Sequence, residues 1–243
     1  MSDSEEELFE KRLKFVLVGD TGAGKTSIAM RYCNGEFTRH YTPTAGVDFF
    51  LKNISLGDYK SVTLHIWDVG GLSLHGNMLD KYIFGAHVIL FVYDVTNASS
   101  FEILGEWIEA IKKVNEVLEA QPILAIIGNK CDMEHQRSVK RDKSHMFAAE
   151  SGIPCHDVSA RTGESITMRV ASLAAEVLGI CVTKADRGFY KPIVQSAIDD
   201  TLTSRQVAST ALKKCAKKHA KRLHKTESNS ELPSSKSSIC SLQ

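Results

Sequence analysis

The chain has 243 residues, 43% of them hydrophobic and 24% charged, with a net charge of +1. That composition is ordinary for a soluble globular protein and excludes a collagen-like or wholly disordered chain. No run of about 18 apolar residues occurs, which excludes a transmembrane helix, and the acidic start MSDSEEELFEKR lacks the apolar segment of a secretory signal.

The N-terminal 12 residues read as an acidic extension. Leu13 to Gly19 (LKFVLVG) reads as a buried strand, and Lys25 to Asn34 as a helix closed by Gly35. Val47 to Leu56 and Ser61 to Asp68 are strand-like across the turn Gly57-Asp58, which predicts an antiparallel hairpin. Val88 to Asp94 (VILFVYD) and Ile123 to Asn129 (ILAIIGN) are continuous apolar runs, as expected of strands buried on both faces. Between them Ile103, Trp107, Ile111 and Val114 predict a helix over about 100–117. A last strand near 154–160 precedes an apolar helix over about 164–178. Strands alternating with helices predict an α/β fold with a mainly parallel sheet and helices on both faces.

Apolar density falls after about Ile180. Residues 13–180 therefore read as one domain, 181–225 as a variable segment ending in a stretch able to form a helix, and 226–243 as a disordered tail. Lys213, Lys214, Lys217, Lys218, Lys221, Arg222 and Lys225 form a run of seven basic residues with no acid among them. With −1 on the last 18 residues, the first 212 carry −5. An acidic globule with a basic tail is expected to meet an anionic membrane surface, and no aromatic residue interrupts the run as nucleic-acid binding would favour. The last four residues, Cys240-Ser241-Leu242-Gln243, fit C-a-a-X with farnesylation expected at Cys240. One lipid chain binds only marginally, so the basic run would be the second anchoring signal. The other cysteines, Cys33, Cys131, Cys155, Cys181 and Cys215, make no CxxC pair, and reduced thiols are expected. The first four of these read as small buried hydrophobes.

The chemistry begins at GDTGAGKT, Gly19 to Thr26, which fits G-x-x-x-x-G-K-[ST] between a strand and a helix. Gly19, Asp20, Thr21, Gly22, Ala23, Gly24, Lys25, Thr26 and the following Ser27 are expected to cradle phosphates. Their backbone N–H groups point into a nest, Lys25 supplies a point charge and the Thr26 hydroxyl meets Mg²⁺. NKCD, Asn129 to Asp132, sits at a strand end, where open α/β sheets bind ligands. A carboxylate there can accept both N–H groups of a guanine edge, whereas adenine would leave it unpaired. Ser159, Ala160 and Arg161 follow the next strand and are expected to present backbone N–H groups to guanine O6. Asp68 ends LHIWD as a second Mg²⁺ partner, Gly70 and Gly71 allow a backbone N–H to reach a γ-phosphate, and Thr44 offers a hydroxyl from a loop.

These residues, with Phe37, YTPTAGVDF, WDVGG, NKCD and SAR, resemble the Ras superfamily of small GTPases, and within it the Rab family, over about residues 13–180. The resemblance implies a P-loop small G domain: six strands, mostly parallel with one antiparallel edge, binding GTP or GDP with Mg²⁺. It implies two switches, about 37–46 and 68–82. Thr44 would sense Mg²⁺ and γ-phosphate, Phe37 would pack on guanine, Asn129 would brace the pocket and Lys130 would lie along the ring. It further implies an exchange factor, a GTPase-activating protein, effectors, a prenyltransferase and a prenyl-binding carrier. The setting implied is the cytoplasmic face of plasma, endosomal or ciliary-base membranes, with a cytosolic pool.

WDVGG followed by LSLHGNMLDKYIFGA departs from the common second-switch sequence, and the chain carries one terminal cysteine rather than two. Both traits look like the divergent Rab branch usually numbered twenty-eight. Leu72 stands where a water-orienting Gln is usual, so slow GTP hydrolysis is expected. A GTP-binding, non-hydrolysing scaffold is the alternative. A nucleotide kinase is disfavoured, because no Arg-rich lid is visible.

Overall fold

A computed structural model describes residues 11–56, 59–116 and 121–180. The acidic extension, the basic run, Cys181, Cys215, Cys240 and the C-a-a-X tail lie outside the described residues. In chain order the elements are β1 (Lys11–Val18), α1 (Lys25–Asn34), β2 (Val47–Leu56), β3 (Tyr59–Val69), α2 (Leu79–Ile83) and β4 (Val88–Asp94). Then come α3 (Ala98–Glu102), α4 (Leu104–Asn115), β5 (Ile123–Asn129), α5 (Arg141–Ser151), β6 (Cys155–Asp157) and α6 (Ile166–Val177).

The six strands form one sheet in the order β2-β3-β1-β4-β5-β6. Only the β2–β3 pair is antiparallel; β1 is parallel to both β3 and β4, and β4–β5 and β5–β6 are parallel. The side-chain period of two sorts each central strand between two cores. Leu13, Phe15 and Leu17 of β1 and Leu90 and Val92 of β4 face the side covered by α1 and α6. Val16 and Val18 with Ile89, Phe91 and Tyr93 face Leu104, Trp107 and Ile111 of α4. Each such burial of a large apolar side chain stabilises the sheet by about 1.5–3 kcal/mol. All seven residues of β4 are buried, which is why β4 and β5 read as unbroken apolar runs.

The expected helix over 100–117 is two elements. Asn97 caps α3 by accepting the Ser99 N–H at 3.1 Å, and the chain turns again at Ile103 before α4. The sequence reading passed over α5, since only Ser144 of its residues is buried and no apolar stripe marks it. Cys33, Cys131 and Cys155 are partly rather than fully buried; burial still pushes each thiol up to about 11.

The topology puts the carboxyl ends of β1, β3, β4 and β5 on one rim. Because β1 lies between β3 and β4, the strand order reverses there and the loops leaving those strands splay apart into a crevice.

Candidate functional site

The loop leaving β1 wraps around the head of Lys25, the first residue of α1. Lys25 is only 5% exposed, and its Nζ donates to the carbonyl oxygens of Gly19 and Asp20, each at 2.8 Å. Burial lowers its pKa to about 8, while the nearby Asp68 and Asp20 carboxylates oppose the shift. Gly24 caps the helix at φ 91°, and a Cβ there would lie 2.2 Å from Asn129 Nδ2. Only glycine meets both demands, and the close approach ties the phosphate-type loop to the end of β5.

Thr26, Thr44 and Asp68 meet on one side of Lys25. The Thr26 hydroxyl donates to Asp68 Oδ2 at 2.5 Å and lies 3.0 Å from the Thr44 hydroxyl, which reaches the same oxygen at 3.2 Å. Asp68 is fully buried, and its other oxygen, Oδ1, has no hydrogen-bond partner. Burial raises its pKa despite the two hydroxyls and Lys25. Two hydroxyls and a carboxylate with an unpaired buried oxygen are a hard oxygen donor set, which fits Mg²⁺. Gly71 approaches from β3's end; a Cβ on it would come within 2.4 Å of the Thr21 backbone nitrogen. Any larger residue would push this segment off the loop.

The opposite end of the crevice is built from β5 and β6. Asn129 is buried; its Nδ2 donates to the Ala23 carbonyl at 2.9 Å, and its Oδ1 accepts the Ala160 N–H at 3.0 Å. Asn129 therefore binds three loops together. Ser159 Oγ donates to Asp132 Oδ1 at 2.6 Å, while Asp132 Oδ2 is buried and has no hydrogen-bond partner. The Arg161 guanidinium lies 3.6 Å from that oxygen, beyond hydrogen-bond reach. Lys130 Nζ pairs with Asp94 at 2.6 Å and donates to the Gly22 carbonyl at 3.1 Å.

Between these ends lies a cleft of about 500 Å³. It brings together most of the residues expected from sequence: Thr21, Gly22, Gly24, Lys25, Thr26, Ser27, Phe37, Thr44, Gly71, Leu72, Asn129, Lys130, Asp132, Ala160 and Arg161. Gly19, Asp20, Ala23, Asp68 and Ser159 stand behind this lining and hold it. Asp20 Oδ1 accepts the Thr21 N–H at 2.6 Å, and Ser159 orients Asp132. One expectation needs revision: the Ala160 N–H is engaged by Asn129 rather than free to face a base oxygen. The stretch from Thr38 to Pro43, expected as part of the first switch, lines the cleft as well; the sequence reading missed Met30 and Met133, which also line it, and Asp94, which holds Lys130. Asp94 carried a signal, a charged residue closing the apolar run of β4; Met30 and Met133 carried none.

Comparison with known proteins decides the family. The Ras family model matches residues 14–179. The chain belongs to the Ras family of small GTPases. Ras-related protein Rab-28 of Caenorhabditis elegans is 36% identical over 197 residues, covering 81% of this chain and 79% of that protein. Ras-related protein Rab-10 of the same organism is 34% identical over 170 residues, covering 70% and 83%. Ras-related protein Rab-13 of Bos taurus is 32% identical over 170 residues, covering 70% and 82%. The chain is thus a Rab-family small GTPase resembling Rab-28, an enzyme of GTP hydrolysis from a family that binds GTP and GDP with Mg²⁺. Rab proteins act with exchange factors, activators and effectors and associate with membranes through lipid anchors. Among the described residues, no helix is long and apolar enough to cross a membrane.

Proposed function

We propose that this small GTPase reads guanine through Asp132 and phosphate through Lys25, and acts as a slow-hydrolysing switch that recruits effectors to membranes in vesicle, endosomal or ciliary trafficking. One observation carries the base assignment: Asp132 Oδ2 is buried with no hydrogen bond, the Arg161 guanidinium standing 3.6 Å from it, while Oδ1 accepts from Ser159. An acceptor left so at the wall of a cleft is stabilised by a ligand bearing paired N–H donors, which guanine has and adenine lacks. Asn129 braces that wall, Lys130 is held by Asp94 to lie along the ring, and Phe37 stacks from the cleft's outer side. Residues 19–27 hold the phosphates. Thr26, Thr44 and Asp68 would hold Mg²⁺, which when bound offsets negative charge on the phosphates. Gly71 marks where the second switch meets the γ-phosphate end.

Leu72 sets the rate. It lines the cleft mouth with 88% of its surface exposed and has no atom able to orient water. The same observation favours a second reading, in which the chain holds GTP as a non-hydrolysing scaffold for effectors. Single-turnover GTP hydrolysis, with and without cell extract, separates the two: a rate that rises with extract supports the switch, and none in either supports the scaffold. Displacement of bound GDP by GTP but not by ATP tests the site itself, and equal displacement sinks it.

Membrane recruitment is proposed to run through Cys240 and the basic run at 213–225. Cys240→Ser is expected to move the protein to the soluble fraction. Membrane retention with both Cys240 and the basic run removed would rule this route out.

A further inference from the structure

Arg31 belongs neither to the phosphate cradle nor to the hydrophobic core. It lies in the last turn of α1, half-buried, with its side chain turned back over the helix end. Three of its nitrogens donate to three different carbonyl oxygens: Nε to Ala160 at 2.9 Å, Nη2 to Arg161 at 2.6 Å and Nη1 to Gly35 at 2.7 Å. The guanidinium carbon also lies 5.9 Å from the centre of the Phe37 ring. One side chain thus joins the end of α1, the start of the first switch and the loop after β6.

That loop is the one on which the base wall hangs. Ser159 Oγ fixes Asp132, and the Ala160 N–H is fixed by Asn129. Arg31 takes the Ala160 and Arg161 carbonyls of the next two peptides along, so the loop is held on one side by Asn129 and Asp132 and on the other by a charge. Guanidinium suits this task because its donors form a rigid planar fork that stays charged at every working pH. A lysine ammonium is a point charge on a flexible stem and cannot hold three acceptors spread around a plane. The interaction with Phe37, at the edge of cation–π range, extends the grip to the ring that closes the cleft's outer side.

We infer that Arg31 is a positioning residue for guanine: it ties the 159–161 loop to the entry of the first switch and so sets both nucleotide residence time and base selectivity. The inference rests on the proposal that Asp132 reads guanine. A residue serving stability alone would loosen every nucleotide equally. One that positions the base wall affects most the nucleotide whose exocyclic amine Asp132 accepts.

The test uses the full chain loaded with ribose-labelled GDP or IDP and chased with unlabelled GDP; inosine lacks the exocyclic amine. Arg31→Met is expected to release GDP about tenfold faster, equivalent to ~1.4 kcal/mol, and to narrow the GDP-over-IDP preference by about threefold. Arg31→Lys is expected to fall between, with a melting temperature near that of the unsubstituted protein, and it carries the test should Arg31→Met fail to fold. Unchanged GDP release, or equal acceleration of GDP and IDP, overturns the inference. Failure of the guanine reading is distinguishable, because the unsubstituted protein would then hold GDP, IDP and ADP alike, and this inference would fall with it.

Discussion

The two ends of the nucleotide cleft are built differently. At the base end, Asn129 spans three loops, Ser159 holds Asp132, Asp94 holds Lys130, and Arg31 closes the outside. At the phosphate end, Lys25 is buried and fixed, but the groups that would sense the γ-phosphate come from exposed segments. Residues 38–43 are exposed and have no regular secondary structure. Gly70 and Gly71 lie so close to Thr44 and Thr21 that a Cβ on either would clash, and the Gly70 N–H donates to the Gly46 carbonyl at 2.8 Å. The base end is pre-organised, and the phosphate end is assembled from parts able to separate. That is the division of labour a nucleotide switch needs: affinity from one end and state-dependence from the other.

The comparison breaks most visibly at Thr26. Its hydroxyl meets both Asp68 and Thr44, joining the two switch segments to α1. Thr26→Asn is expected to lower GTP affinity by about 100-fold (~2.7 kcal/mol) while GDP binding falls much less, since the triphosphate state depends most on the metal side. Equilibrium titration with both nucleotides checks this, together with loss of the Mg²⁺ dependence of GTP binding. A smaller effect is expected at the mouth. Leu72→Gln is expected to raise intrinsic or activator-stimulated hydrolysis by about tenfold, ~1.4 kcal/mol of barrier, with GDP release unchanged because the base end is untouched. Phosphate release from preloaded protein measures it. An unchanged rate, alone and with extract, would show that the missing amide is not what slows the reaction.

Much of this division was legible before the structure. The phosphate loop, NKCD and the strand-end Asp68 are local patterns whose chemistry depends on residue type and on a strand or helix boundary beside them. The runs of β4 and β5 matched residue for residue, because strands buried on both faces leave no ambiguity of period. What stayed hidden depended on tertiary meetings. Arg31 in sequence is one basic residue near a helix end, and its three carbonyl partners include two that lie about 130 residues away. Asp94 reads as an ordinary strand end until Lys130 arrives beside it. Helix α5 was missed for a simpler reason: its polar surface lacks the apolar stripe that marks an amphipathic helix. The commitment of the Ala160 N–H to Asn129 is a choice of hydrogen-bond partner, and no local pattern encodes it.

Exchanging the chemistry of the Asp132 carboxylate shows whether that group selects guanine. Asp132→Asn replaces an acceptor with an amide whose N–H₂ matches the 2-oxo group of xanthine. Competition binding with GDP, XDP and ADP, before and after the substitution, is the measurement. GDP is expected to be preferred by the starting protein and XDP by Asp132→Asn, with ADP poor in both. Binding of ADP as tight as GDP in the starting protein, or an unchanged GDP-to-XDP ratio in Asp132→Asn, would contradict that role of Asp132.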